Sequence, residues 1–197
     1  MKVSLFDYGA GNLHSLAKAC ECPGATVSIE PDPVRAAQTD VLVLPGVGAF
    51  GAAAERLAPG LKSMRDALEA GLPCLGVCLG MQLFFKDSEE GPGEGLGILQ
   101  GTVTKLISRR IPQMGWNQVE PDKAQMPRPP LPSIAYYANS YVCRLKDPQY
   151  ITAWSIHEDD RFAAAIQYKN VVGVQFHPEK SSTPGVQFVR AFVKQFA

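Results

Sequence analysis

Apolar positions in the first half of the chain fall into short solid runs separated by stretches of helical period. A parallel sheet flanked by helices requires this alternation. Lys2 to Asp7 reads as a strand, followed by a helix from about Asn12 to Cys20. Asp40 to Leu44 (DVLVL) is almost wholly apolar, as in a strand covered on both faces. Ala52 to Ala70, rich in Ala and Leu, predicts one long helix stopped by Gly71. Leu72 to Val77 predicts a second buried strand, and Leu79 to Lys86 the helix that follows it.

From Gly101 the pattern shifts to successive strands with little helix between them. These are Gly101–Ile107, Met114–Val119, Ile134–Cys143, Thr152–Ile156, Phe162–Lys169 and Val171–Phe176. The run Met126–Pro132 (MPRPPLP) predicts a surface loop, because proline neither donates a backbone hydrogen bond nor continues a helix. A last helix is expected with Thr183 as N-cap and Pro184 as first residue, its apolar face made by Val186, Val189, Val193 and Phe196. The pattern predicts one α/β domain over residues 1–197. A central, mostly parallel sheet is flanked by helices, with an antiparallel region in the C-terminal half.

Composition narrows the function classes. With 46% hydrophobic and 19% charged residues in 197, the chain can bury one sizeable core. Lys+Arg and Asp+Glu both number 19, so the general basic footprint of a nucleic-acid binder is absent. No apolar run approaches the roughly 20 residues needed to span a bilayer. The N-terminus also lacks the order of a secretory signal, which makes the cytoplasm the default location. Cys20, Cys22, Cys74, Cys78 and Cys143 are odd in number and unclustered, which points to reduced thiols. Cys20 and Cys22 have no second Cys or His pair to complete a metal site.

Candidate chemistry begins at Gly76-Val77-Cys78-Leu79-Gly80, where a buried strand should turn sharply into a helix. This is the arrangement of a nucleophile elbow, with cysteine in place of serine. The flanking glycines let strand and helix approach closely, and a helix N-terminus beside sulfur favours thiolate. The plain alternative is a small buried hydrophobe, as most free cysteines are. A base is available in His177-Pro178-Glu179, at the carboxyl end of the predicted strand Val171–Phe176. Catalytic groups of open α/β sheets gather at such ends. A carboxylate on one imidazole nitrogen leaves the other free to face a thiol. Of the other two histidines, His14 lies in the first helix and His157 precedes an acidic turn.

Gly46-Val47-Gly48-Ala49-Phe50-Gly51 matches the G-x-G-x-x-G of dinucleotide-binding enzymes, the rival from another class. Its context argues otherwise: the loop does not follow the first strand, and the next strand ends in Cys78 rather than in an acid that could hold a ribose. A better use of these glycines is close backbone approach, with N–H groups of Gly46, Val47 and Gly48 joining that of Leu79 in an oxyanion hole.

Three segments, Pro45–Gly48 before a helix, Cys78-Leu79-Gly80-Met81-Gln82 and Gln175-Phe176-His177-Pro178-Glu179, resemble the class I (triad) glutamine amidotransferases. Asp7–Leu13 (DYGAGNL), Gly46–Gly51, Pro112–Asn117 (PQMGWN) and Phe176–Ser181 (FHPEKS) are similar to the glutaminase subunits of imidazole glycerol phosphate synthases. The likeness runs over essentially the whole chain. It departs at Asn139-Ser140, where that family commonly has histidine before serine or threonine, and at Cys22-Pro23 and the proline-rich loop. The resemblance implies a flavodoxin-like class I glutamine amidotransferase architecture and a Cys78, His177, Glu179 triad that hydrolyses L-glutamine without cofactor or metal. It further implies glutamine contacts from Gln82 and Ser140. The partner would be the cyclase subunit of such a synthase. This (β/α)8 barrel, joined in a heterodimer, uses the ammonia to make imidazole glycerol phosphate and an aminoimidazole carboxamide ribonucleotide. Asn12, Met114, Trp116, Asn117 and Lys180 would face that partner, although Trp116 could equally be core. Three other readings remain: a triad glutaminase for a different acceptor synthase, a non-catalytic binding module on the same fold, and a cysteine peptidase-like hydrolase.

Overall fold

The computed structural model describes residues 1–9, 13–125 and 127–197. In chain order the elements are β1 (Lys2–Phe6), α1 (His14–Cys20), β2 (Thr26–Glu30), α2 (Pro33–Ala36), β3 (Val41–Leu44), α3 (Phe50–Leu57), α4 (Leu61–Glu69), β4 (Cys74–Val77) and α5 (Leu79–Gln82). They continue as β5 (Gly101–Lys105), β6 (Gln113–Gln118), β7 (Glu120–Pro121), β8 (Ile134–Asn139), β9 (Tyr141–Leu145), β10 (Ile151–His157), β11 (Asp160–Tyr168), β12 (Val171–Val174) and α6 (Ser182–Lys194).

Eight strands form the main sheet in the order β2-β1-β3-β4-β12-β11-β10-β7. Five of them, β2, β1, β3, β4 and β12, run parallel, whereas β11, β10 and β7 pair antiparallel. The expected mostly parallel sheet with an antiparallel C-terminal region is therefore present. Two antiparallel ribbons, β5 with β9 and β6 with β8, stand outside it. The central strands β3 and β4 are buried at all four positions, as their solid apolar runs require. Alternation along β3 sends Val41 and Val43 to one core and Leu42 and Leu44 to the other. The first core is capped by Leu16 of α1 and Phe188, Val189 and Phe192 of α6. The second is capped by Phe50, Leu57, Met64 and Leu68 of α3 and α4.

Several local expectations are corrected. The long helix predicted from Ala52 to Ala70 is two, because Pro59-Gly60 imposes a 3-10 turn over Ala58–Gly60. The helix after Cys78 stops at Gln82 rather than continuing to Lys86. The strand predicted over Ile134–Cys143 divides at Ser140, with β8 joining one ribbon and β9 the other. The last helix starts at Ser182, so Thr183 is not its N-cap. Its buried stripe is widened by Phe188 and Phe192, while Val186 is only partly buried. The start of the first helix at Asn12, and Met126 at the head of the proline-rich loop, lie outside the described residues. Among the described residues no helix is long and apolar enough to cross a membrane.

Because β3, β4 and β12 are adjacent and parallel, the loops at their carboxyl ends open on the same edge of the sheet. Those loops carry Gly46–Gly48, Cys78 and His177.

Candidate active site

Cys78 occupies the turn between β4 and α5 with φ 48° and ψ −104°, a backbone region that a non-glycine residue adopts only under constraint. The constraint comes from both sides. Its N–H is held by the Val174 carbonyl at 2.7 Å. A Cβ on Gly80 would lie 2.0 Å from the Leu44 carbonyl oxygen, and one on Gly76 would lie 2.6 Å from the Phe84 ring. Only glycine at 76 and 80 lets α5 settle this close to β3 and β4, and that packing forces Cys78 into its strained turn. Gly46 fits as closely on the third side, where a Cβ would stand 2.8 Å from both Cys78 Cβ and the Val77 oxygen. The Gly46–Gly48 loop therefore abuts the sulfur-bearing residue, and Tyr8 fixes its start through a hydroxyl hydrogen bond to the Pro45 carbonyl.

His177 follows β12 and is 2% exposed. Its Nδ1 lies 2.8 Å from Glu179 Oε1, with the two side chains 3% and 7% exposed. Its backbone is held too: the His177 N–H donates to the Tyr136 carbonyl at 2.8 Å, and the His177 carbonyl accepts from Ser181 Oγ at 2.6 Å. Ser181 Oγ also accepts from the Tyr136 N–H at 2.9 Å. The N-cap of α6 is thus Ser181 rather than Thr183, and its hydroxyl holds the His177 backbone rather than the helix end. Burial opposes a charge on His177, yet the Cys78 sulfur, through its charge and a hydrogen bond, and Glu179 outweigh it and push the imidazole up to about 10. Imidazolium is favoured where it faces sulfur.

Burial pushes Cys20 up to about 12 and also raises Cys74 and Cys143, which keeps all three protonated. Cys78 has the His177 imidazole beside it.

A cleft of about 350 Å³ opens over the sulfur. Every expected oxyanion residue, Gly46, Val47, Gly48 and Leu79, lines it, as do Gln82, Ser140 and His177. Glu179 stands behind His177. Of the residues expected to face a partner, Met114 and Lys180 also line the cleft. Trp116 is 56% exposed and Met114 63%, so the core alternative for Trp116 does not hold. Asn117 spends its side-chain amide on the Ile156 carbonyl. Asn12 lies outside the described residues. Sequence reasoning missed two groups. Glu90, the one lining carboxylate among the described residues, accepts the Phe50 N–H through Oε2 at 2.8 Å. Gln175 is wholly buried, with its Nε2 3.4 Å from Cys78 Sγ. Glu90 lies between the helix expected to end at Lys86 and the strand expected from Gly101, where no element was read, and Gln175 lies in the run Val171–Phe176 that read as strand. Gln175 belongs to the segment that carries His177, but its contact with the sulfur, like that of Glu90 with Phe50, joins residues distant in sequence.

Comparison with known proteins matches the family "Glutamine amidotransferase class-I" over residues 4–196. A curated relative from Nostoc punctiforme, "Imidazole glycerol phosphate synthase subunit HisH", is 41% identical over 204 residues, covering 98% of this chain and 95% of that protein. One of the same name from Pyrococcus furiosus is 41% identical over 194 residues, covering 97% of each. Among solved structures, a glutamine amidotransferase superposes with TM-score 0.75 at 18% identity, covering 98% of each chain. PurLQS from Thermotoga maritima gives 0.69 at 17%, covering 99% of this chain and 96% of the other. At such identities the structures speak for the fold alone.

Proposed function

We infer the activity from kinship: this chain belongs to the class-I glutamine amidotransferase family, and it hydrolyses glutamine to glutamate and ammonia. The HisH relatives, alike over nearly their whole length, favour histidine biosynthesis as its setting and a cyclase partner as the recipient of the ammonia. That partner is read as a (β/α)8 barrel in a cytoplasmic heterodimer.

In the proposed reaction, Cys78 thiolate attacks the side-chain carboxamide carbon of glutamine. Backbone N–H groups of Leu79 and of the Gly46–Gly48 loop hold the oxyanion, each worth typically about 3–4 kcal/mol in the transition state. His177 gives its proton to the departing nitrogen, the C–N bond breaks, and a thioester and ammonia result. Water then attacks the thioester with its proton passing to His177, the C–S bond breaks, and glutamate leaves. Glu179 keeps the imidazole turned toward sulfur and stabilises its charge. Glu90 suits the α-ammonium group: Phe50 N–H takes its Oε2 and leaves Oε1, and among the described residues the cleft lining holds no other carboxylate. Gln82 spends its amide protons within the protein, so what it offers glutamine is its carbonyl oxygen. Met114, Trp116 and Lys180, exposed at or beside the cleft mouth, are read as the partner-facing side, where ammonia could pass on without crossing open solvent.

The single observation that carries this reading is the strained cysteine at the strand–helix turn, beside a buried imidazole bonded to a carboxylate. Ammonia release from glutamine, measured with and without the cyclase partner for wild type and Cys78→Ala, tests it. Activity is expected to depend on Cys78 and to rise with the partner. Release that persists in the alanine variant would overturn the assignment.

A further inference from the structure

We propose that Gln175 is a positioning residue for the nucleophile, its buried amide donating to the Cys78 sulfur and thereby favouring and aiming the thiolate. The proposal rests on the reading of Cys78 as nucleophile and adds a group to it.

The backbone brings the two side chains together. β12 and β4 pair in parallel with Val174 opposite Val77, so the next residues along, Gln175 and Cys78, emerge side by side. Gln175 is 0% exposed, which removes water as a partner for its amide. Its Nε2 lies 3.4 Å from Cys78 Sγ, and its Oε1 lies 3.4 Å from Gln82 Nε2. Gln82 Nε2 in turn lies 3.1 Å from the Tyr141 carbonyl oxygen.

That last contact fixes the direction of the whole chain. A carbonyl only accepts, so Gln82 must turn its NH2 toward Tyr141. The same NH2 then donates to the Gln175 oxygen, and the Gln175 NH2 is left facing sulfur. An amide assignment that would otherwise be arbitrary is thus set by a backbone atom of β9.

The chemistry follows from what sulfur can accept. A neutral thiol is a weak acceptor, whereas a thiolate accepts strongly, and a donor with no alternative partner in a dry site is worth most to the charged form. The hydrogen bond therefore gains strength as the proton leaves Cys78. Sulfur is gripped by two groups from one short segment, the Gln175 amide and the His177 imidazole.

The test compares wild type with Gln175→Met, which keeps the bulk and removes the donor, and Gln175→Glu, which keeps the shape and sets a carboxyl group beside sulfur. Thiolate ultraviolet absorbance is followed against pH, with the Cys78→Ala signal subtracted. Glutaminase kcat, KM and unfolding temperature are measured in the presence of the cyclase partner. In Gln175→Met the thiolate is expected at a pH about one unit higher, and kcat at neutral pH about tenfold lower, with KM little changed. Gln175→Glu should move both readouts in the same direction. A merely structural glutamine would alter unfolding temperature without moving the thiolate transition. Folded Gln175 variants that form thiolate at the wild-type pH and keep wild-type kcat would overturn the proposal. Cys78→Ala retaining activity would instead sink the nucleophile reading on which it stands.

Discussion

Replacing Gly46 with alanine is expected to separate catalysis from folding. The new methyl carbon would sit 2.8 Å from Cys78 Cβ, 2.8 Å from the Val77 oxygen and 3.1 Å from His177 Cε1. Carbon atoms rest at about 3.5–4.0 Å, so one side must give by roughly 0.5–1 Å. Val77 is the last residue of the central strand β4, paired with Val174 of β12 and wholly buried, and cannot retreat. The Gly46 loop, Cys78 and His177 must therefore absorb the displacement. A misplacement of about 1 Å at reacting atoms costs on the order of 100-fold in rate. Overpacking by one methyl costs about 1–3 kcal/mol of stability. The expected variant folds, loses several degrees of unfolding temperature and releases ammonia about a hundredfold more slowly at saturating glutamine. Gly80→Ala supplies the contrast, because its methyl would meet the Leu44 backbone at 2.0 Å and the fold itself should fail. The assay is steady-state ammonia release alongside thermal unfolding. A folded Gly46→Ala enzyme with wild-type kcat would show that the loop does not abut the nucleophile during turnover.

Other outcomes follow from the same geometry. Glu179→Gln should lower kcat by about a hundredfold or more, since the amide neither stabilises imidazolium nor secures the tautomer; stopped-assay ammonia measurements would read it. In Cys78→Ala the largest influences raising His177 disappear while the opposing burial remains, so nitrogen NMR should show imidazolium lost far below the wild-type value of about 10. By linkage, the stability tied to the raised His177 is fully present below its ordinary 6.5 and drains away as pH climbs through about 10, which unfolding experiments across that window can follow. Trp116→Ala should leave unfolding temperature and the buried site intact yet weaken cyclase binding by about 2 kcal/mol, measured by calorimetry, if its exposed ring is a docking anchor.

The core strands were legible because a strand buried on both faces must be apolar throughout, as Val41–Leu44 and Cys74–Val77 are. β2 was not read because, at the sheet edge, Thr26–Glu30 has no fully buried position and needs no such run. α2 is too short for a period and announces itself only by the Asp32 cap and Pro33. The break at Pro59-Gly60 was visible in the residues and yielded to the Ala-rich pattern around it. The division of Ile134–Cys143 was not visible, since no glycine or proline marks Ser140 and only the partners of β8 and β9 separate them. For the site, Cys78, His177 and Glu179 stood out because each sits in turn chemistry that a few adjacent residues define. Gln175 stood in the motif that carries His177 without a role of its own, and it and Glu90 acquire one through the residues they reach, Cys78 and Phe50, 97 and 40 positions away along the chain.

The pairing of β4 with β12 also sets a timetable. Cys78 is synthesised well before the strand that holds its N–H and before His177, which follows that strand. A nascent or truncated chain that stops before Val171 carries the sulfur with nothing to activate it. On the proposed mechanism ammonia, which is wasteful when released without a recipient, is not liberated until β12 has been made and has closed on β4.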